Sequence, residues 1–168
     1  MKRKFTLQSY SISKWSSHMK SLEETVEKAV SRFREGYVCS ESILMTFAES
    51  QGIKCEQIPK IATGFAGGIG RCGFLCGALT GAVTALGLKY GRNKPNEAEA
   101  YEKCMAKCQE LCKRFESIFG SVYCRDITQC DLTTMEGRQK FKEQQIRENV
   151  CTKVVENSMR ILLNLTKE

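Results

Sequence analysis

Apolar residues recur at helical spacing along most of the chain, and no segment alternates between apolar and polar residues as a half-buried strand does. The first regular stretch precedes Gly36, a residue type that commonly ends helices, and its apolar positions share one helix face: Leu22, Val26, Ala29, Val30 and Phe33. The same spacing predicts further helices over about 39–50, 56–65, 73–89, 96–119 and 136–165, the last broken near Asn149. The pattern therefore predicts an all-α fold, a single-domain bundle of five to six helices.

The chain shows no internal repeat and no linker, and its 168 residues are enough for one domain with a core of its own. The first twenty residues contain no acidic residue and five basic ones: Lys2, Arg3, Lys4, Lys14 and Lys20. We expect residues 1–20 to form a basic, flexible arm and residues 21–168 to form a helical, cysteine-rich domain. Beyond the arm, charges of both signs mix closely and no nucleic-acid-binding motif is present. The net charge of +7 therefore does not indicate a nucleic acid partner.

The longest uncharged run, residues 72–88, is rich in glycine and is shorter than the about 20 strongly apolar residues that a membrane-spanning helix needs. We expect most of this run to be a buried helix. The N-terminus has basic residues without an apolar run behind them, so no secretory signal is visible. These features predict a cytoplasmic protein without membrane insertion, whose thiols are kept reduced.

The helix predicted over about 73–89 has two different faces. One is an ordinary apolar stripe: Leu75, Leu79, Ala82, Val83 and Leu86. The other consists of small residues four apart: Gly73, Gly77, Gly81 and Ala85. Glycine in a helix interior costs about 1 kcal/mol relative to alanine, so repeated glycine indicates that something approaches this face closely. Another backbone and a bulky inorganic group both satisfy the pattern.

Ten cysteines are many for a chain of this size, and in a reducing compartment they indicate metal binding, redox chemistry or small core residues. No two are spaced as CxxC, which argues against a thioredoxin-type motif, zinc-finger spacing and the usual ferredoxin spacings. Three lie four apart on the predicted fifth helix, where we expect core residues, with a second metal or redox cluster as the alternative: Cys104, Cys108 and Cys112. Cys55, in a predicted turn, is expected to be incidental. Cys72, one helical turn before Cys76, is the candidate auxiliary thiol.

Four further cysteines come from four different segments. Cys39 opens the predicted second helix, and Cys76 lies in the first turn of the fourth. Cys124 follows the predicted fifth helix, and Cys151 lies on the apolar stripe of the last. A helix N-terminus favours negative charge, so we expect Cys76 to favour the thiolate, the form that binds metal or reacts. Only folding can bring these four together, so any site they share depends on tertiary structure.

The residues around these cysteines resemble a known family. Residues 76–81 read CGALTG, which matches CGAxxG, and they follow IATGFAGGIG and precede ALGLKYG. CSESIL begins at Cys39, YCRDITQCDLTTMEG contains Cys124, and CTKVV begins at Cys151. Over about residues 22–165 the chain is similar to the redox-active protein family named for a cysteine, a glycine–cysteine–alanine motif and two later cysteines.

The resemblance implies which cysteines matter and what they bind. The family's four invariant cysteines correspond to Cys39, Cys76, Cys124 and Cys151. The resemblance implies that these are the ligands of an iron–sulfur cluster, [2Fe–2S] or [4Fe–4S], used for electron transfer or redox sensing. Cys130, like Cys72, lies where we expect the family to have a small or non-cysteine residue. These extra thiols leave open which four bind.

Other functions stay open at this level. A thiol–disulfide redox protein would exchange electrons through Cys39 and Cys76, and a structural zinc module would use the four thiolates at an unusual spacing. A Cys–His nucleophile would depend on His18, the one histidine, which lies in the basic arm. Residues 64–70, GFAGGIG, lack the strand and the lysine of a phosphate-binding loop. We expect an electron carrier or a component of an oxidoreductase, with a redox partner protein, and a homodimer is left open.

Overall fold

The structure is a computed structural model that describes the backbone of residues 12–167 and the side chains of residues 21–167. This part of the chain forms eight α-helices and one π-helical segment: α1 (Ile12–Glu35), α2 (Cys39–Ser50), α3 (Lys60–Thr63), α4 (Gly77–Tyr90), α5 (Ala98–Phe119), α6 (Cys124–Thr128), α7 (Met135–Glu143), π1 (Arg147–Cys151) and α8 (Thr152–Leu165). The predicted all-α fold is confirmed, with more and shorter helices than the five or six predicted. Of the arm predicted over residues 1–20, residues 1–11 lie outside the described residues, and α1 begins at Ile12.

Helix α4 lies at the centre of the bundle, packed against α2, α5 and α8. Its apolar residues Leu79, Ala82 and Leu86 are almost completely buried. The α4 part of the uncharged run is therefore a buried helix, as predicted. No helix within residues 12–167 combines the length and the apolar character that crossing a membrane requires.

Helix α1 packs against α2 and α8 through the apolar face predicted from its spacing. Val26, Ala29 and Phe33 of that face are buried. At the edge of this contact, Arg160 of α8 forms an ion pair and hydrogen bonds with Glu23 of α1. The two helices that are farthest apart in the chain are thus joined, which closes the bundle.

Three predicted helix boundaries are corrected by the structure. The helix predicted over about 56–65 is limited to α3. The helix predicted over about 73–89 begins only at Gly77, because Gly73 has a φ of 78°, which an α-helical backbone does not adopt. The stretch predicted over about 136–165 is divided, because Gln145 after α7 has a φ of 50°. The break predicted near Asn149 falls within π1.

Candidate functional site

Four cysteines line one cavity of about 190 Å³: Cys39, Cys76, Cys124 and Cys151. The cavity lies beside the glycine-rich loop 64–76, where the beginnings of α2, α4, α6 and α8 meet. Most of the remaining lining is apolar, Arg71 and Arg147 are charged, and none of the described lining residues is acidic. The four segments that carry these cysteines therefore converge in space.

The crossing of α2 and α4 positions Cys39. The backbone N–H of Val38 donates to the Glu41 carboxylate at 3.0 Å, which closes the N-terminus of α2 at Cys39. In α4, Gly81 lies so close to α2 that a Cβ there would be 2.6 Å from the carbonyl oxygen of Ser40. A Cβ on Gly77 would lie 2.5 Å from the Cys39 sulfur. The small-residue face of α4 therefore accommodates the α2 backbone, and Gly77 leaves room for the α2 thiol.

The loop 64–76 lies against two of the cysteines. Gly68 has a φ of 73°, and a Cβ on it would lie 2.6 Å from the Phe74 nitrogen and 2.8 Å from the Cβ of Cys124. Glycine is therefore required there both for its conformation and for space. The backbone N–H of the neighbouring Gly67 lies near the Cys39 sulfur and lowers the pKa of that thiol. The loop thus links the Cys39 side of the cavity to the Cys124 side.

Cys76 and Cys124 are brought together by backbone pairing. The N–H of Cys76 donates to the carbonyl of Val122 at 2.9 Å, and the N–H of Cys124 donates to the carbonyl of Phe74 at 2.7 Å. Leu75 and Tyr123 form an antiparallel bridge between these bonds. Residues 73–76 and 122–125 therefore run side by side, which fixes the separation of the two cysteines.

Arg147 holds the segment that contains Cys151 against the end of α1. It donates hydrogen bonds to the carbonyls of Phe33 and Tyr37, the latter at 2.9 Å. Its guanidinium lies 3.9 Å from the centre of the Phe33 ring. Because Phe33 and Tyr37 belong to the end of α1 and the turn that follows it, these contacts hold π1 against α1. Single π-helical turns are frequent at functional sites, and here π1 ends at Cys151 on the cavity.

Backbone N–H groups face the sulfur atoms at the helix N-termini. Cys39 is the first residue of α2, and Cys76 directly precedes α4. The N–H of Ser40 lowers the pKa of Cys39, and the N–H of Ala78 lowers that of Cys76. Such N–H groups stabilise negative charge on sulfur.

In the metal-free chain, burial outweighs these N–H groups. Burial raises the pKa of Cys39, and burial together with the Cys39 and Cys124 thiols raises the pKa of Cys76 well above its usual value. Burial and the Cys39 thiol raise the pKa of Cys124 to about 11 and that of Cys151 to about 12. The expectation that Cys76 favours the thiolate is therefore wrong for the metal-free chain. The loss of hydration destabilises the thiolate more than the nearby N–H groups stabilise it.

The remaining six cysteines do not line the cavity. Cys72 does not line it, and the helical turn expected to relate Cys72 to Cys76 does not form, because α4 begins only at Gly77. Cys130 is 2% exposed and belongs to a small apolar cluster against which Cys151 packs. Cys55 lies in an open groove elsewhere on the surface. The α5 cysteines pack in or against the main core, as predicted: Cys104, Cys108 and Cys112.

The cavity thiols line a space of about 190 Å³. Among the side chains of residues 21–167, no three His, Cys, Asp or Glu residues are arranged to hold one metal ion. A polynuclear group occupies a space, and thiolates are the ligands that iron–sulfur clusters take. In donor type, donor number and intervening space, the residues present therefore fit such a cluster.

Comparison with known proteins connects this geometry to a family. Residues 37–165 match the family described as "Putative redox-active protein (C_GCAxxG_C_C)". The chain belongs to this family. It is also 29% identical over 158 residues to a protein of Archaeoglobus fulgidus named "Uncharacterized protein", across 89% of this chain and 98% of that protein. No solved structure matches the chain. The family resemblance inferred from the sequence is confirmed.

The family pattern does not reveal the residues that position the cysteines. Arg147 gives no signal in the sequence, because an arginine among polar residues looks like any surface residue. Gly77 is visible as part of a small-residue face, but the sequence does not show that it meets the Cys39 sulfur. Gly67 belongs to an evident glycine run, but its N–H partner depends on the fold.

Proposed function

We propose that this member of the redox-active family binds an iron–sulfur cluster in the cavity and uses it for electron transfer or redox sensing. The proposed ligands are the four cavity cysteines: Cys39, Cys76, Cys124 and Cys151. The observation that carries the proposal is that these four thiols, from four separate segments, line one cavity. When bound, such a cluster supplies a redox couple whose potential the protein sets.

The size of the cavity supports a compact inorganic group. Its volume of about 190 Å³ is below the range of about 300–1,000 Å³ that is usual for pockets holding organic ligands. A nucleotide or a flavin would also need polar side chains placed around it, whereas this lining is mostly apolar and sulfur. The lining therefore favours a group that thiolates alone can hold.

A single zinc ion is supported less well. Zinc–sulfur bonds of about 2.3 Å in a tetrahedral site would place neighbouring sulfur atoms about 3.8 Å apart. No such convergence is present among the described side chains. Zinc in aerobically isolated protein would not decide the matter, because zinc can replace a lost cluster.

The chain's own groups would stabilise the charge of a bound cluster. Four thiolates are strongly anionic, and the cationic side chains of Arg71 and Arg147 line the same cavity. The N–H groups of Ser40 and Gly67 face the Cys39 sulfur. Hydrogen bonds to sulfur and nearby charge are the main means by which proteins set the potential of a cluster.

A thiol–disulfide function is the second candidate from the sequence. A reactive cysteine needs a lowered pKa, whereas burial raises the pKa of both Cys39 and Cys76. The raised pKa values of these two thiols therefore favour cluster binding over thiol–disulfide exchange. The expected redox partner protein, the cytoplasmic location and the homodimer stay predictions.

The test compares the wild type with four single Cys→Ser variants at the proposed ligands after anaerobic reconstitution with iron and sulfide. We expect the wild type to take up iron, to absorb visible light and to give a paramagnetic signal on reduction. We expect each variant to lose most of the bound iron, because one iron position loses its protein ligand. The measurements are iron content, visible absorption and electron paramagnetic resonance.

Cys72→Ser is the matched control, because Cys72 lies in the same loop as Cys76 but does not line the cavity. Cys55→Ala is a second control at a distant groove. Equal iron loss in a control and in the ligand variants would contradict the assignment. A two-electron couple that depends on cysteine alone and is unchanged by metal removal would support the thiol–disulfide function instead.

A further inference from the structure

A second group of thiols lies on α5 and takes no part in the cavity. Three cysteines recur every four residues and therefore share one face of the helix: Cys104, Cys108 and Cys112. Cys104 is 6% exposed and lies in the main core, whereas Cys108 and Cys112 are half-buried. The stripe thus consists of one buried thiol and two partly exposed ones.

Two of these thiols are neighbours on the helix surface. Cys104 and Cys108 are four residues apart in α5, and the Cys104 thiol is near enough to influence the titration of Cys108. Burial, and next the neighbouring Cys104 thiol, raises the pKa of Cys108 to about 12. Cys108 is therefore a neutral thiol at neutral pH, beside a second sulfur atom and partly open to solvent.

The helix opposes a disulfide between these two cysteines. Side chains four apart on a helix have Cβ atoms about 5–6 Å from each other, whereas a disulfide needs about 3.5–4.5 Å. Helix α5 runs without interruption from Ala98 to Phe119, so closing that gap would distort a regular helix. An ion between the sulfur atoms makes no such demand, because two metal–sulfur bonds replace the single S–S bond and so lengthen the span between the two side chains.

We propose that Cys104 and Cys108 form a second thiolate site that binds one Cu(I) ion between their sulfur atoms. Thiolate sulfur selects soft ions such as Cu(I), and a pair of sulfur atoms offers two ligands where structural zinc takes four. Cys112 lies eight residues beyond Cys104, about 12 Å along the helix axis, so these two cannot share an ion. On binding, two S–H protons leave as two S–Cu bonds form, and copper keeps its oxidation state. This site is independent of the function proposed for the cavity.

The test is an anaerobic titration of the full, reduced chain with Cu(I) against a chromogenic Cu(I) chelator. Cavity thiols also bind Cu(I), so the α5 site is measured as the difference between the wild type and Cys108→Ser. We expect Cys108→Ser to hold one equivalent fewer, because the two thiols left on the stripe are too far apart to replace the pair. Cys112→Ser is expected to hold as many equivalents as the wild type.

Helical content and urea unfolding establish that each variant is folded, and Cys108→Ala replaces Cys108→Ser if the serine variant is not. An unchanged number of Cu(I) equivalents in the folded Cys108 variant would overturn the proposal. Loss of one equivalent in Cys112→Ser would overturn the assignment to Cys104. Neither result would bear on iron binding in the cavity.

Discussion

At the scale of single residues, the site depends on the absence of one side chain. Gly77 follows Cys76 at the start of α4, and the space above it is taken by the sulfur of Cys39. The glycine after the motif cysteine therefore admits a second cysteine from another helix. This explains in physical terms why a glycine stands within CGAxxG in this chain.

We predict that Gly77→Ala prevents cluster binding. A Cβ at this position would lie 2.5 Å from the Cys39 sulfur and 3.0 Å from the Phe65 carbonyl oxygen, so the thiol must move. Iron content after anaerobic reconstitution measures the effect, and we expect most of the iron to be lost.

The matched control is Gly87→Ala on the same helix. Nothing lies within 4 Å of a Cβ there, so the change should raise the free energy of unfolding by about 0.5–1 kcal/mol and leave iron uptake unchanged. Normal iron uptake by Gly77→Ala would show that the close contact with Cys39 has no role in the site.

The candidate ligands could be predicted from the sequence, but their surroundings could not. Cys39, Cys76, Cys124 and Cys151 stand out because their motifs resemble a family. The raised pKa of Cys76 was not predictable, because a helix N-terminus is visible in a sequence whereas burial of the thiol is not.

At the scale of elements, two irregular segments place cysteines at the cavity. The loop 64–76 turns back so that residues 73–76 pair with residues 122–125, and π1 ends on the cavity at Cys151. The bounds of α2 were predicted correctly from its helical spacing. The start of α4 was misplaced, because pairing with a distant segment overrides local helical spacing.

We predict that Arg147→Ala weakens both the fold and the site. It removes hydrogen bonds to the carbonyls of Phe33 and Tyr37 and a stacking contact with Phe33. The free energy of unfolding should fall by about 1–3 kcal/mol, and iron uptake should fall because π1 is no longer held at α1. Urea unfolding and iron content measure the two effects.

Arg34→Ala is the control, because Arg34 joins α1 to the same π1 segment through an exposed ion pair with Glu148. Exposed pairs contribute about 0–1 kcal/mol, so this variant should keep its iron. Equal effects of the two substitutions would contradict the role given to Arg147.

At the scale of the whole molecule, the site exists only in the folded chain. Its four cysteines come from segments that α1, α2, α4 and α8 bring together, so the free energy of binding the proposed cluster would add to the free energy of folding. The sequence predicted one helical domain because its periodicity is helical throughout. It could not predict the order of packing, which depends on contacts between distant segments such as α1 and α8.

The metal-free protein should lose stability above about pH 9. The thiols of Cys124 and Cys151 have pKa values raised to about 11 and about 12 in the folded chain, against an ordinary value of 9.0. Their contribution to stability is complete below the unfolded pKa and is lost as the pH rises through the folded values, because the unfolded chain ionises first. Urea unfolding of the reduced protein at about pH 8 and about pH 10.5 measures the loss.

Cys124→Ser removes one of these groups and should make the decline with pH shallower. A free energy of unfolding that falls equally in this variant and in the wild type would show that the thiol is not responsible.

The most direct measurement of the central claim is the iron and acid-labile sulfide content of wild-type protein isolated without oxygen. We predict iron and sulfide in equal amounts, about two or about four of each per chain, held by the four cavity cysteines. A folded protein that contains neither iron nor sulfide, even after anaerobic reconstitution, would contradict the account.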